Sequence, residues 1–384
     1  MRILKERTKE KVPSPRVIDL FSGCGGMSWG AALAGFNVLA GVDNDLTAIQ
    51  TYRRNFGEDA GFAVDLTALG PEEFADYVNL KPEELELLIG GPPCQGFSKN
   101  VPRKNRFLND PRNRLVSRFL EYVEYLRPQI LIMENVAEMK DGFEGAYTGE
   151  VIERLERAGY RVDVKVIHAP DFGVPQRRRR AFFYANRLNR PVEFPAPTHY
   201  PAEQGSFFVG SDSAYVTVNS AIGDLPSLAH GEGTSPTDYD KPPTTWFQIE
   251  MRRNAKRLYD HVARKLADTQ YRRLASIKAG QGAKDLPEAL KPKSHYSGAY
   301  GRLVWDDLAP TITRWVFHPG SGRFGHPSDV RVVTIREAAR LQSFSDDFVF
   351  CGTYIQKSHQ VGNAVPPLVL KAIAQHAKRL LSGT

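Results

Sequence analysis

The chain has 384 residues, enough for two domains at roughly 100–200 residues each, and enough to bury a full core without covalent staples. Its three cysteines, Cys24, Cys94 and Cys351, are far apart and form no Cys-x-x-Cys pair, which argues against a disulfide framework and a structural zinc site. The net charge of +7 fits a polyanionic partner without naming one, and the charged N-terminus and absence of a long apolar run predict neither a secretory leader nor a membrane span.

In the first half, short apolar runs alternate with helical patterns. Arg16–Phe21, Asn37–Val42, Leu85–Ile89 and Gln129–Met133 read as strands, and Met27–Leu33, Leu46–Asn55, Pro71–Asn79 and Arg114–Leu126 as helices between them. This alternation predicts a parallel sheet with helices on both faces, closed by strands at Tyr160–Ile167 and Ala181–Tyr184. From 187 to 245 Pro, Gly, Ser and Thr dominate without a sustained period, which predicts loop and short strand. Arg252–Lys278 reads as one helix or two, with Leu258, Val262 and Leu266 as an apolar stripe. That stretch carries nine Lys or Arg against two Asp, a surplus equal to that of the whole chain. Thr334–Gln342 predicts a helix in which Thr334 is the N-cap and Glu337 completes a capping box. Pro366–Leu381 predicts the last helix, with Pro366 or Pro367 in its first turn.

The segment from Asp19 to Met27 joins the first strand to the first helix. Its glycines allow a tight turn and close approach of a ligand to the helix N-terminus, and Asp43 ends the second strand where dinucleotide folds hold ribose hydroxyls. The turn equally fits NAD, FAD or a purely structural role, although Gly23-x-Gly25-x-x-Ser28 lacks the third glycine of the dinucleotide fingerprint. Cys24 is expected to be a small packing residue. Pro92 and Pro93 stiffen the loop that carries Cys94 at the carboxyl end of its strand. A lone cysteine is commonly a small buried hydrophobe, and the stiff loop favours the alternative, a nucleophile. Glu134 follows the next apolar strand. By default it caps the helix that follows, but a thiol and a carboxylic acid on neighbouring strand ends beside a ligand turn form a more specific arrangement. In the run Arg177–Arg180, Arg178 and Arg180 are expected to face inward and Arg177 and Arg179 outward, the plainer reading being a solvated or phosphate-binding stripe.

Six segments, in order, resemble those of the cytosine-5 DNA methyltransferases, which use S-adenosylmethionine: DLFSGCGG at 19–26, GPPCQGFS at 91–98, ENV at 134–136, QRRRR at 176–180, REAARLQSF at 336–344 and VGNAVPP at 361–367. The resemblance covers roughly 16–185 and 330–384. It implies an α/β, Rossmann-like methyltransferase sheet with helices on both faces, plus a smaller, irregular target-recognition domain. Residues 1–188 would form the catalytic and cofactor-binding domain, 189–335 the target-recognition domain, and 336–384 a hinge and helix returning to the first. Cys94 would add to carbon 6 of cytosine, Glu134 would hold and protonate ring nitrogen 3, and Arg178 and Arg180 would contact the base oxygen and catalytic centre. Asp19, Phe21, Ser22, Gly23, Gly25 and Gly26 would form the cofactor turn, with Phe21 against the adenine. Asp43 would hold the ribose, where many relatives have Glu. Asn44 stands where several carry a large apolar residue beside the adenine. Asp65 would meet the adenine amino group, although the family more often has Gly before this Asp. Pro92, Asn363 and Ala364 would complete the pocket.

The same resemblance implies double-stranded DNA as partner and a target base flipped out of the duplex. Gln95, Ser98, Lys99, Gln176, Arg252, Arg253 and Lys256 are expected on the DNA, and Gln95–Arg114 as a mobile basic loop closing over the base. Thr311-Ile312-Thr313 resembles a segment that supports the recognition loops. No metal is expected. The implied setting is a prokaryotic cytoplasm, with nucleoid association through DNA, a monomeric enzyme and a cognate restriction endonuclease acting separately. The alternatives are an RNA cytosine-5 methyltransferase on the same fold and a non-catalytic DNA-binding relative.

Overall fold

The computed structural model describes residues 14–93, 114–141, 145–201, 213–293 and 298–383. Its centre is a seven-stranded sheet in the order β3-β2-β1-β4-β5-β8-β6. The strands are β1 (Arg16–Leu20), β2 (Asn37–Asp43), β3 (Gly61–Ala63), β4 (Leu87–Gly90), β5 (Ile130–Val136), β6 (Arg161–His168) and β8 (Arg179–Asn186). Between them lie α1 (Gly26–Leu33), α2 (Leu46–Phe56), α3 (Pro71–Tyr77), α4 (Arg114–Leu126), α5 (Glu138–Asp141) and α6 (Ala146–Arg157).

The central strands are apolar on both sides, as strands covered by helices on both faces must be. Leu87, Ile89, Ile130, Ile132, Phe182 and Tyr184 join one core cluster, which includes α1 and the C-terminal helix. Leu88, Leu131, Met133, Phe183 and Ala185 join the other, under α3, α4 and α6. In α4, Val116, Phe119, Leu120, Val123 and Leu126 recur at helical spacing and are all buried.

The sheet is not wholly parallel. β1 to β5 pair in parallel, but β8 runs antiparallel to both β5 and β6. The chain passes from β6 to β8 through one turn of 3-10 helix, Ala169–Phe172, and the short β7 (Gln176–Arg177), with no crossover helix to return it to the same end. So short a link brings the chain back antiparallel. The start of β8 therefore lies at the edge where β1, β4 and β5 end.

Beyond the sheet come α7 (Val218–Ile222), α8 (Trp246–Arg252), α9 (Asp268–Ala275), β9 (Ala309–Pro310), α10 (Ile335–Leu341), α11 (Tyr354–Asn363) and α12 (Pro367–Ser382). Of the one helix or two expected over Arg252–Lys278, only α9 forms within the segment, and the chain before it is extended. Leu258 exchanges backbone hydrogen bonds with Thr237, Ala263 N–H donates to the carbonyl of Glu232, and the Asp260 carbonyl accepts from Arg336. Asp260 itself has φ of 64°. Leu258 and Leu266 are buried as expected of the stripe, but by an extended segment laid against other strands of chain. The capping box is present: Thr334 Oγ1 accepts from Glu337 N at 3.1 Å, and Thr334 N donates to Glu337 Oε2 at 2.7 Å.

The C-terminal helix α12 packs directly on α1. A Cβ on Gly30 would lie 2.5 Å from the Pro367 carbonyl, so the close approach needs glycine there. Val216, Ile222, Phe247, Leu258 and Leu303 share one core cluster with Val17, Ile89 and Ile373, while Leu266, Leu274, Ile277, Leu286 and Val332 form a smaller cluster of their own.

Candidate active site

Every parallel strand ends at one edge of the sheet, and there the chain encloses a cavity of about 550 Å³. In open α/β sheets this is where ligands bind, and the volume suits a nucleoside-sized molecule. After β1, Phe21 takes a left-handed backbone (φ 59°), followed by Gly23 (53°) and Gly25 (98°). Phe21, Ser22, Gly23 and Gly26 line the cavity. A Cβ on Gly23 would meet nothing within 4 Å, so bare backbone faces open space here. Asp43 at the end of β2 fixes the turn by accepting from Gly23 N at 2.8 Å, and also accepts from Asp45 N at 2.9 Å. Burial pushes the Asp43 carboxyl up, against these backbone donors. Asn44, Asp45 and Asp65 complete an acidic side. Asp65 accepts from Thr67 N and Oγ1, each at 2.8 Å, and the backbone N–H is the first cause that lowers its pKa.

Asp19 and Gly25 were expected among the cofactor contacts, but both lie behind the turn. Gly25 is the N-cap of α1. Asp19 is buried, and its Oδ2 accepts from Ser28 N at 3.2 Å and Ser28 Oγ at 2.7 Å. Ser28 Oγ in turn meets Tyr52 Oη at 2.7 Å. Asp19 Oδ1 has no hydrogen-bond partner among the described residues, and burial pushes this carboxyl up to about 7. Cys24 lines the cavity but is buried in the core, and desolvation drives its thiol far up, away from the thiolate a nucleophile needs. It is the packing residue expected.

The second side of the cavity comes from β4, β5 and β8. Gly91, Pro92 and Pro93 follow β4 to the cavity wall. The buried Asn135 amide donates to the Pro92 carbonyl at 3.1 Å and so ties the end of β4 to β5. Glu134 lies within β5, which extends to Val136, rather than after it. Because β8 is reversed, Val136 pairs with Arg180, and Arg180 Nε meets Glu134 Oε1 at 2.8 Å. Arg178 is buried, with Nη1 donating to the Ile312 carbonyl at 3.1 Å and the Gly362 carbonyl at 3.4 Å. Its Nε has no partner among the described residues. Desolvation, then the nearby Arg180, push the Arg178 guanidinium well down from its ordinary pKa, while Glu134 opposes them. Arg177 and Arg179 are exposed, so the run alternates as expected.

The third side is α11. His359, Gln360, Asn363 and Ala364 line the cavity, as does Arg314 from a separate segment. Asn135, Arg314, His359 and Gln360 were not among the expected site residues. Asn135 lies inside one of the quoted motifs, Gln360 and His359 stand just before another, and Arg314 directly follows Thr311-Ile312-Thr313, but none of these neighbours marks the residue itself as a ligand contact.

Cys94, Gln95, Ser98, Lys99 and the basic loop expected over Gln95–Arg114 fall at 94–113, outside the described residues, except that Arg114 begins α4. Two of the remaining residues expected on DNA are engaged inside the protein instead. Gln176 is fully buried; its amide donates to the Leu341 carbonyl at 2.7 Å and to Gln342, and its oxygen accepts from Ile312 N at 3.0 Å. Arg252 stacks 3.8 Å over the Tyr239 ring and pairs with the buried Asp224. Arg253, just past the end of α8, pairs with Glu250 in its last turn, and Lys256 is exposed. Among the described residues, no cluster of three or more His, Cys, Asp or Glu could hold a metal ion, and no helix is long and apolar enough to cross a membrane.

The strand order, the one reversed strand and the cavity at the carboxyl edge define a Rossmann-like fold of the methyltransferase class. Consistent with this, the chain superposes on the crystal structure of a prophage-encoded E. coli protein described as a DNA modification methyltransferase, with a TM-score of 0.74 and 28% identity over 96% of this chain and all of that one. The family profile for C-5 cytosine-specific DNA methylase matches residues 15–379, and the chain belongs to that family. It is 36% identical to the Type II methyltransferase M1.HphI of Haemophilus parahaemolyticus, over 93% of this chain and 85% of that one. It is 33% identical to the Type II methyltransferase M.DdeI of Desulfomicrobium norvegicum, over 94% and 87%. The enzyme is thus a DNA cytosine-5 methyltransferase.

Proposed function

We propose that this enzyme modifies a specific duplex DNA sequence through a covalent Cys94 adduct, with S-adenosylmethionine as methyl donor, in a Type II restriction-modification setting. The observation that carries the reading is the Glu134–Arg180 pair, which lines the same cavity as the Gly91–Pro93 wall that leads into Cys94 and lies beside it. The cavity fits the cofactor. The bare backbone at Gly23 and the Asp43 carboxyl suit a nucleoside, and Phe21, Ser22, Asn44, Asp65, Asn363 and Ala364 would hold its remaining parts. When bound, S-adenosylmethionine supplies an electrophilic methyl group on a sulfonium.

The protein's own residues must then make carbon 5 of cytosine nucleophilic. The Cys94 thiolate adds at carbon 6 and converts the ring to an enamine, which splits one hard step into two easier ones. Glu134 holds ring nitrogen 3 and hands it a proton, drawing charge out of the ring. Arg180 orients Glu134, and the unpartnered Nε of Arg178 suits a base oxygen. The base reaches the site only when flipped out of the helix, at a cost of a few kcal/mol. Target reading falls to residues 189–335, with Arg253 and Lys256 as phosphate contacts. The protein works as a monomer in a prokaryotic cytoplasm, beside a separate endonuclease of the same specificity.

A duplex containing 5-fluorocytosine at the target site tests this. Wild-type protein with S-adenosylmethionine should form a denaturation-resistant complex cross-linked at Cys94, and Cys94→Ser should form none. Equal methyl transfer by Cys94→Ser would overturn the adduct. Faster methylation of RNA than of duplex DNA would favour the RNA alternative.

A further inference from the structure

Two nitrogen-bearing side chains that line the cavity share one neighbour, Trp315. Arg314 is exposed, lines the cavity and lies 5.1 Å over the Trp315 ring. No carboxylate pairs with it among the described residues, whereas Arg252, Arg331 and Arg340 each have one. His359 lines the same cavity from α11, and its Nε2 is buried without a hydrogen-bond partner among the described residues. Its ring stands edge-on to Trp315 at 5.5 Å.

Both side chains are carried on rigid backbone. Ser358 Oγ donates to the Arg314 carbonyl at 3.0 Å, and a Cβ on Gly362 would lie 2.1 Å from Arg314 N, so α11 presses directly on this segment. The turn is closed by Val316 N donating to the Thr313 carbonyl at 3.0 Å and by Ser321 Oγ donating to the Trp315 carbonyl at 2.5 Å. Trp315 is nonetheless 45% exposed, a large apolar ring held at the surface beside the cavity.

A guanidinium and an imidazole that flank one ring and pair with no acid among the described residues suit an anionic oxygen. We propose that Arg314 and His359 grip one phosphodiester of the target strand, next to the nucleotide that enters the cavity, with Trp315 as the wall that holds the guanidinium in place. This rests on the DNA methyltransferase reading and adds residues that position the strand. The cofactor's carboxylate is the other anion this chemistry would suit. The exposure of Arg314 and Trp315 favours a ligand arriving from outside, since Ser22 and Gly26 of the cofactor turn are buried. Phosphate contacts of this kind fix register without reading sequence.

The test measures duplex binding between 50 and 200 mM salt, S-adenosylmethionine binding without DNA, and methyl transfer. Arg314→Ala should weaken DNA binding about ten-fold and reduce the slope of log K against log salt by about 1. It should raise KM for DNA more than it lowers kcat, and leave cofactor affinity within about two-fold. Arg314→Lys should restore the slope but only part of the affinity, since a point charge replaces a fork. His359→Gln should weaken binding with a smaller change in slope. An unchanged slope in Arg314→Ala overturns the site. So does weakened cofactor binding with an unchanged slope, which would assign the pair to the cofactor's carboxylate. A wild-type protein that methylates no DNA removes the functional reading as well; one that methylates normally, with Arg314→Ala unaltered, removes only this site.

Discussion

Replacing Asp19 by Asn isolates the effect of a buried carboxyl on stability. The residue sits under the Gly-rich turn after β1, with one oxygen bonded to Ser28 and the other unpartnered among the described residues. Desolvation raises its pKa from 3.8 to about 7, against the two Ser28 donors, with Asp43 adding a little. The folded protein therefore binds more protons at this site than the unfolded chain between those two values, and the contribution to stability falls as pH rises through them. From pH 5 to pH 8 the loss amounts to roughly 2–3 kcal/mol. Asparagine keeps a carbonyl oxygen for Ser28 but has no proton to lose, so the variant should lack this component. Urea unfolding of wild type and Asp19→Asn at pH 5 and pH 8 measures it, because other titrating groups cancel in the difference. Parallel pH dependences for the two proteins would refute the reasoning.

Three further outcomes are expected. Arg340→Met should cost about 3–5 kcal/mol in urea unfolding, because it removes the buried guanidinium that meets Asp346 and Asp224 at 2.6 and 2.5 Å and leaves both buried carboxylates with only their weaker remaining partners, Arg336 and Tyr239 for the one and Arg252 for the other; a cost below about 1 kcal/mol would show that the network is not needed. Gly362→Ala should destabilise by about 1–3 kcal/mol, since its Cβ would lie 2.2 Å from the Thr313 carbonyl carbon, and an unchanged melting temperature would contradict the close packing. Glu134→Gln should lower single-turnover methyl transfer about 10²–10⁴-fold with DNA binding retained, and near-normal turnover would remove Glu134 from the chemistry.

Much of the sheet was legible because its strands are short apolar runs and its helices carry stripes at helical spacing. α4 was expected at the bounds it has, Arg114–Leu126. α6 was overlooked although Tyr147, Val151 and Leu155 repeat at helical spacing. α11 was hidden for a different reason: its buried face includes Ser358, Gln360 and Gly362, so no hydrophobic period marks it. The stripe over Arg252–Lys278 misled because burial at every fourth residue can also arise in an extended segment paired to distant chain. In the site, motifs identified Phe21, Asp43, Glu134, Arg178 and Asn363 as candidates, and all five line the cavity. They could not separate lining residues from those behind them, as with Asp19 and Gln176, because that depends on which way a side chain leaves the backbone. Arg314 and His359 lay beyond reach because only tertiary packing brings them to one cavity.

The cavity has walls from both extremes of the sequence: Phe21–Cys24, Gly26 and Met27 from one, and His359, Gln360 and Asn363–Val365 from the other. A ribosome releases these walls far apart in time. The first strands and helices of the sheet can form while the chain is still growing, but the turn at Gly23 then faces only solvent. The capacity to hold a ligand arrives with α11, almost at the end of synthesis. A chain cut short before residue 359 would carry its motif residues through Arg180 and still have no closed cavity, so abortive products of translation should not sequester the methyl donor.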